Sequence, residues 1–164
     1  MGVEVGVTED WLAELERGDH PGVLYRMRTG WAVLGDTQHL PGYCVLVYAG
    51  AASHLTDLPR PERTAFLFDL SLLGEAISRV CAARNPGFLR INYEVLGNRW
   101  PHLHGHVHAR YAWEEERFRV GPVHLYGEER AKPEHALGEA HEALRSDLGA
   151  AVSALALDAY GESV

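Results

Sequence analysis

Residues His102 to Tyr111 read His-Leu-His-Gly-His-Val-His-Ala-Arg-Tyr, and the alternation in this stretch decides how the whole chain is read. Side chains along a β-strand point by turns to its two faces. His102, His104, His106 and His108 then share one face, while Leu103, Gly105, Val107 and Ala109 make up the other. The second set is small and apolar, as a core-facing set must be. Next-nearest residues on one face lie about 7 Å apart, so the imidazole row spans the length of a phosphate chain. Gly105, inside a strand, marks a close approach by backbone or ligand.

Upstream, Phe88 to Val95 (FLRINYEV) reads as the preceding strand, with Leu96 to Pro101 as the connecting turn. Before it, Pro61 opens a helix where its missing N–H costs nothing. Phe66, Leu70, Leu73, Ile77 and Val80 give that helix one apolar stripe as far as Arg84, and Asn85-Pro86-Gly87 ends it. Ala49 to Arg60 is a loop, and Tyr43 to Tyr48 (YCVLVY) a central strand buried on both faces. Val23 to Met27 and Trp31 to Leu34 form a hairpin across Thr29-Gly30. Thr8 caps a short helix carrying Trp11, Leu12 and Leu15, which Gly18 closes. Downstream, Ala112 to Ala131 reads as a loop with a short strand at Val123 to Tyr126. Pro133 then opens a last helix with Leu137, Ala140, Leu144, Leu148, Val152 and Leu155 on its buried stripe. This order predicts an antiparallel sheet with packed helices, an α+β fold, in a single domain spanning residues 1–164.

Composition narrows the chemistry. The chain has 164 residues, 46% of them apolar and 23% charged, the profile of a folded domain. Its net charge of −8 disfavours general nucleic-acid binding, although a few local donors still suffice for a small anion. Lys132 is the sole lysine, and Pro133 follows it, so there is no Walker A loop and Schiff-base chemistry has a poor host. Neither a Gly-x-Ser-x-Gly elbow nor a His-Glu-x-x-His helix occurs. Cys44 and Cys81 stand far apart, outside any Cys-x-x-Cys pattern, which fits a reducing compartment. The opening MGVEVGVTEDW lacks the pattern of a secretory signal, and no apolar run approaches membrane-spanning length. A cytoplasmic location is the expectation. Ten histidines remain as the abundant functional side chain.

Three chemistries suit four histidines on one strand face. They can be a solvated polar surface. They can ligate a metal, since His-x-His places two imidazoles together, although no third ligand stands nearby in the sequence. Or they can serve a phosphate site, where a neutral imidazole attacks phosphorus in line, protonated neighbours offset charge, and a phosphoramidate forms.

The segment Asn98 to Tyr111, NRWPHLHGHVHARY, resembles the signature of the histidine triad (HIT) family, in which three histidines alternate with hydrophobic residues. The match falls on His102, His104 and His106. Leu34 to Val47, LGDTQHLPGYCVLV, is similar to the segment that lines the family's nucleoside pocket, and His54 to Leu58 looks like its linker. The resemblance covers about residues 23–111, leaving residues 112–164 as an extension with an extra C-terminal helix. Gly105 and His108 depart from the pattern by standing where the family has hydrophobic residues. His108 also permits a second register, 104-106-108; Arg110, four residues past His106, resolves it in favour of His106 as the third histidine.

The resemblance implies a purine nucleotide as substrate, cleaved at its α-phosphorus through a nucleotidyl-histidine on His104. His106 and His102 would contact phosphate oxygens or assist the leaving group, and His108 would cap the row toward solvent. Asn98, Asn92, Asp36 and Arg110 would bind substrate: Asn98 and Arg110 at phosphate, Asp36 at the ribose hydroxyls. At Asn98 and Arg110 the residues also allow a plain turn role and a plain carboxylate pair. Dinucleoside polyphosphates are the favoured substrates and nucleoside phosphoramidates the alternative; a non-catalytic nucleotide-binding protein and a histidine-ligated metalloprotein are further readings. No tightly bound cofactor is implied, magnesium arriving with the substrate phosphates, and the chain would be a homodimer.

Overall fold

The computed structural model of the protein describes residues 9–161. Helix α1 (Glu9–Arg17) buries Trp11 and Leu15 and ends at Gly18, whose φ of 78° is the left-handed conformation expected of a helix-closing glycine. The expected Thr8 cap lies outside the described residues. Strands β1 (Val23–Arg26) and β2 (Gly30–Leu34) form the predicted hairpin, and β3 (Cys44–Tyr48) is the buried central strand. Helix α2 (Arg60–Arg84) carries Pro61 in its first turn. Strands β4 (Phe88–Glu94) and β5 (His104–Tyr111) complete one antiparallel sheet in the order β1-β2-β3-β5-β4. A single turn, α3 (Glu116–Arg119), and the long helix α4 (Glu142–Tyr160) follow. The architecture is the α+β arrangement read from the sequence.

The two sheet faces are covered differently. One packs on α2 and α4 through Ala32, Leu34, Leu46, Val107, Phe66, Leu70, Leu73 and Leu148. The other is covered by α1 and a loop tryptophan: Val33, Val45 and Val47 meet Trp11, Leu15, Tyr43 and Trp100. The register sets the histidines on this second face, His106 opposite Val45 and His104 opposite Val47. Gly105 therefore faces α2, where an added Cβ would come within 2.7 Å of Leu70 Cδ1. The close approach it marks is a core helix, not a ligand.

Helix α4 docks on its own sheet layer instead of being left for a partner. Asp69 of α2, fully buried, accepts the Thr29 N–H and hydroxyl at 2.7 Å each and the Tyr160 hydroxyl. It thereby ties the β1–β2 turn to the last turn of α4. Arg84 and Asp147 form a second link between the helices.

Three expected boundaries shift. The histidine strand begins at His104, because Pro101 has no N–H and the Leu103 N–H bonds the Ala52 carbonyl of a loop. No strand forms at Val123 to Tyr126; tight helical turns run from Val123 to Ala131, broken at Gly127 with φ 55°. The last helix starts at Glu142, not Pro133. Leu137 N–H is taken by the Asp36 carbonyl, Ala136 bridges Thr37, and Gly138 is extended, so the backbone there serves the 36–38 loop. Ala140 consequently stands exposed. Among the described residues, no helix is long and apolar enough to cross a membrane.

Candidate active site

His102, His104 and His106 each have one ring nitrogen hydrogen-bonded to a neighbour, and these bonds set the chemistry. His104 Nδ1 lies 2.6 Å from the carbonyl oxygen of His102. A carbonyl only accepts, so Nδ1 carries the proton and the lone pair of the neutral ring sits on Nε2. His102 Nε2 donates to the Tyr48 carbonyl at 2.7 Å, and its ring stacks on Trp100 with centroids 4.7 Å apart. His106 Nδ1 lies 2.7 Å from the Tyr43 hydroxyl. Burial pushes that phenol's pKa well up, with Arg130 opposing, so it stays protonated. His106 Nδ1 is the acceptor within reach of this buried O–H, and donation there satisfies the hydroxyl and places the His106 proton on Nε2. The His104 and His106 rings meet edge to face at 4.8 Å. An electron-pair donor and an N–H donor thus stand side by side.

Burial lowers the pKa of His104, His106 and His108 below the usual imidazole value. For His106, His104 and His108 add to burial and bring it to about 3. The rings are neutral at pH 7, so the expected protonated neighbours become neutral hydrogen-bond donors. His108 is corrected more strongly. It is buried under Tyr43, with stacked centroids 4.4 Å apart, and its Nε2 lies 3.6 Å from Glu94 Oε2. It closes the row against the core, not toward solvent.

A cavity of about 210 Å³ opens beside the row. It is lined by the Ser53–Thr56 turn, Val95 to Gly97, His102, Leu103 and His104. Asn98 follows the lining residue Gly97 in sequence, is exposed, and is not itself among the lining residues. The left-handed turn conformation belongs to Gly97, φ 83°, so Asn98 is not needed there for its backbone. Asp36 lies elsewhere, in a second cavity of about 420 Å³ with Trp11, Glu14, His20 and the Ala136–Glu142 segment.

Arg110 requires correction. Arg110 is buried beside the fully buried Glu114, and all five of its N–H donors are spent. Nε and Nη2 hold the Glu114 carboxylate, Nη1 holds Asn92 Oδ1 at 2.8 Å, and the Gly121 and Phe118 carbonyls take the rest. Glu114 also receives the Tyr126 hydroxyl and the Tyr111 N–H, each at 2.7 Å. No donor of Arg110 remains for phosphate. The pair anchors residues 114–126 to β4 and β5.

Tyr43 and Arg130 were not singled out by sequence reasoning. Tyr43 has the parity of Val45 and Val47, but only the β3–β5 register shows that this face meets the histidines. Arg130, whose guanidinium lies 5.3 Å from the Tyr43 ring centroid, comes from the extension and carries no local signal.

No protein-family model and no curated protein matches the chain. Solved structures do match. A histidine triad protein from Marinobacter aquaeolei VT8 superposes with a TM-score of 0.68 at 24% identity, covering 93% of this chain and 99% of the other. One from Sinorhizobium meliloti gives 0.63 at 23% identity over 88% and 94%, and one from Bradyrhizobium japonicum 0.65 at 18% over 92% and 99%. The superpositions extend past residues 23–111 into the C-terminal segment, since they cover about nine-tenths of the chain. This chain has the histidine triad fold.

Proposed function

We propose that the protein hydrolyses a nucleotide at its α-phosphorus, with His104 as nucleophile and a dinucleoside polyphosphate as the favoured substrate. The observation that carries this reading is the His104 Nδ1–H held on the His102 carbonyl, on a residue lining the 210 Å³ cavity. That bond orients the ring and leaves Nε2 as the attacking atom. In the first step a P–Nε2 bond forms as the bond from phosphorus to the leaving phosphate oxygen breaks. Water then adds to phosphorus, the P–N bond breaks, and a mononucleotide and free His104 result. His106 Nε2–H, oriented through Tyr43, suits a non-bridging oxygen, and an arriving anion would draw its pKa back up. His102 borders the same cavity, and Asn98 follows its lining residue Gly97. Trp11 and Asp36 in the second cavity suit a nucleoside, one as a flat wall and the other as an acceptor for hydroxyls.

Phosphoramidate hydrolysis follows the same two steps with an amine as leaving group and is the second reading. Both require no resident cofactor, magnesium entering with substrate. A homodimer fits the open edge of β4, where Leu89, Tyr93 and Val95 are exposed; light scattering tests it. The function is tested by turnover of dinucleoside polyphosphates and nucleoside phosphoramidates, with and without magnesium. His104→Asn should abolish turnover while nucleotide binding persists, and acid-labile label should map to His104 in the wild type. Nucleotide binding with no turnover across that panel would refute hydrolysis in favour of a binding protein.

A further inference from the structure

We propose that His39, Glu129 and His135 form a site for a divalent transition metal of the zinc class, separate from the histidine row and independent of the function above. One ligand atom from each residue lies within 4.8 Å of the other two. His39 Nδ1 and His135 Nε2 are both buried without a hydrogen-bond partner. Such orphaned nitrogens are costly unless something binds them. Among the described residues, this is the group of histidine, cysteine and carboxylate side chains whose ligand atoms converge in this way.

The ligands reach one another because the backbone brings their segments together first. Gln38 N–H bonds the His135 carbonyl at 2.7 Å, and Thr37 Oγ1 bonds the Arg130 carbonyl at 2.6 Å. The Thr37–Ala136 bridge completes the seam. Lys132 occupies Glu129 Oε2 at 2.7 Å, leaving Oε1 at 3.8 Å from His135 Nε2. Ligands about 2.0–2.1 Å from a tetrahedral ion sit roughly 3.3 Å apart. Closing the Glu129–His135 gap takes about half an ångström, and the widest separation in the group, at most 4.8 Å, takes up to about 1.5 Å, a movement made by side-chain rotation. Glu134 Oε1, 3.7 Å from the same nitrogen, stands near for a fourth position. Two imidazoles and a carboxylate suit zinc, whereas calcium and magnesium require shells of oxygen and copper(I) prefers thiolates. The ion would staple the segment bearing Arg130 to the loop that leads into Tyr43.

The test uses full-length protein freed of metal by chelation and titrated with cobalt(II), followed by visible absorption and then displaced by zinc. One equivalent per chain is expected, with a zinc-dependent rise in Tm that saturates at the same ratio. His39→Ala and His135→Ala should each weaken binding at least about tenfold while far-UV circular dichroism stays that of the wild type. Should an alanine variant fail to fold, His39→Gln, which keeps a polar group beside Tyr126, replaces it. Folded wild-type protein that binds no stoichiometric metal would overturn the proposal. So would binding that survives both alanine variants but is lost in His106→Ala, which would move the metal to the row.

Discussion

Replacing Arg110 by glutamine separates a structural arginine from a phosphate ligand. Arg110 and Glu114 side chains are 3% and 0% exposed, so the variant leaves a carboxylate buried without its cation. Removing one partner of a buried ion pair costs about 3–5 kcal/mol, a large share of the roughly 5–15 kcal/mol that holds a domain together. For a chain of this size each kcal/mol lowers Tm by about 2–4 °C, so Arg110→Gln should melt roughly 6–20 °C below the wild type. Glu114 retains the Tyr126 and Tyr111 donors, which favours the lower half of that range. The pair also has a pH signature. Burial pushes the Glu114 carboxyl up, but hydrogen bonds from Arg110, Tyr126 and the Tyr111 N–H outweigh it and hold the pKa below the ordinary carboxylate value. A folded pKa below the unfolded one means stability present above about pH 4.3 and lost as pH falls through the folded value. The variant should show a smaller acid loss. Thermal and urea unfolding at several pH values measure this, alongside kcat and KM at a temperature where the variant is folded. A Tm within about 2 °C of the wild type, with KM for nucleotide raised tenfold or more, would refute the reasoning and return Arg110 to the phosphate.

Other outcomes follow from the same geometry. Tyr43→Phe removes the donor to His106 Nδ1 and should lower kcat about tenfold, the worth of one net hydrogen bond, with little change in KM; stopped or steady-state kinetics decides, and an unchanged kcat counts against the Tyr43–His106 arrangement. Gly105→Val pushes into Leu70 and should cost about 1–3 kcal/mol by overpacking, read by urea unfolding. Buried neutral His104, His106 and His108 have folded pKa values below the unfolded one, so the unfolded chain binds more protons and stability falls as pH drops below about 6.5, by at most about 1.4 kcal/mol per unit for each ring. For His106 that loss continues to about pH 3. The acid limb of kcat/KM should correspondingly lie below pH 6.5, and a limb at or above that value would contradict the buried, neutral row.

Periodicity made the larger elements legible. The spacing from Phe66 to Ile77 predicted the buried face of α2, and the run from Tyr43 marked β3 as central, because both patterns answer to burial along one element. The strand of alternating histidines could be read for the same reason, and it placed His104 and His106 together. What failed depends on partners distant in sequence. Arg110 looked like a cation near phosphate until Glu114, Asn92 and two carbonyls consumed its donors. The stretch from Pro133 has the pattern of a helix, but the 36–38 loop claims its Leu137 N–H and its His135 carbonyl. Asp36 and His104 read as one pocket, and the structure sets them in two cavities.

The order of residues alone determined that an imidazole row would line one face of a strand, because a period of two is a property of the extended backbone. The His102 carbonyl, two residues away, sets the available nitrogen of His104 locally. Only the tertiary structure decided it for His102 and His106, through the Tyr48 carbonyl and the Tyr43 hydroxyl. A hydrogen bond between residues 63 apart, such as Tyr43 to His106, comes from strand pairing, which no local pattern encodes.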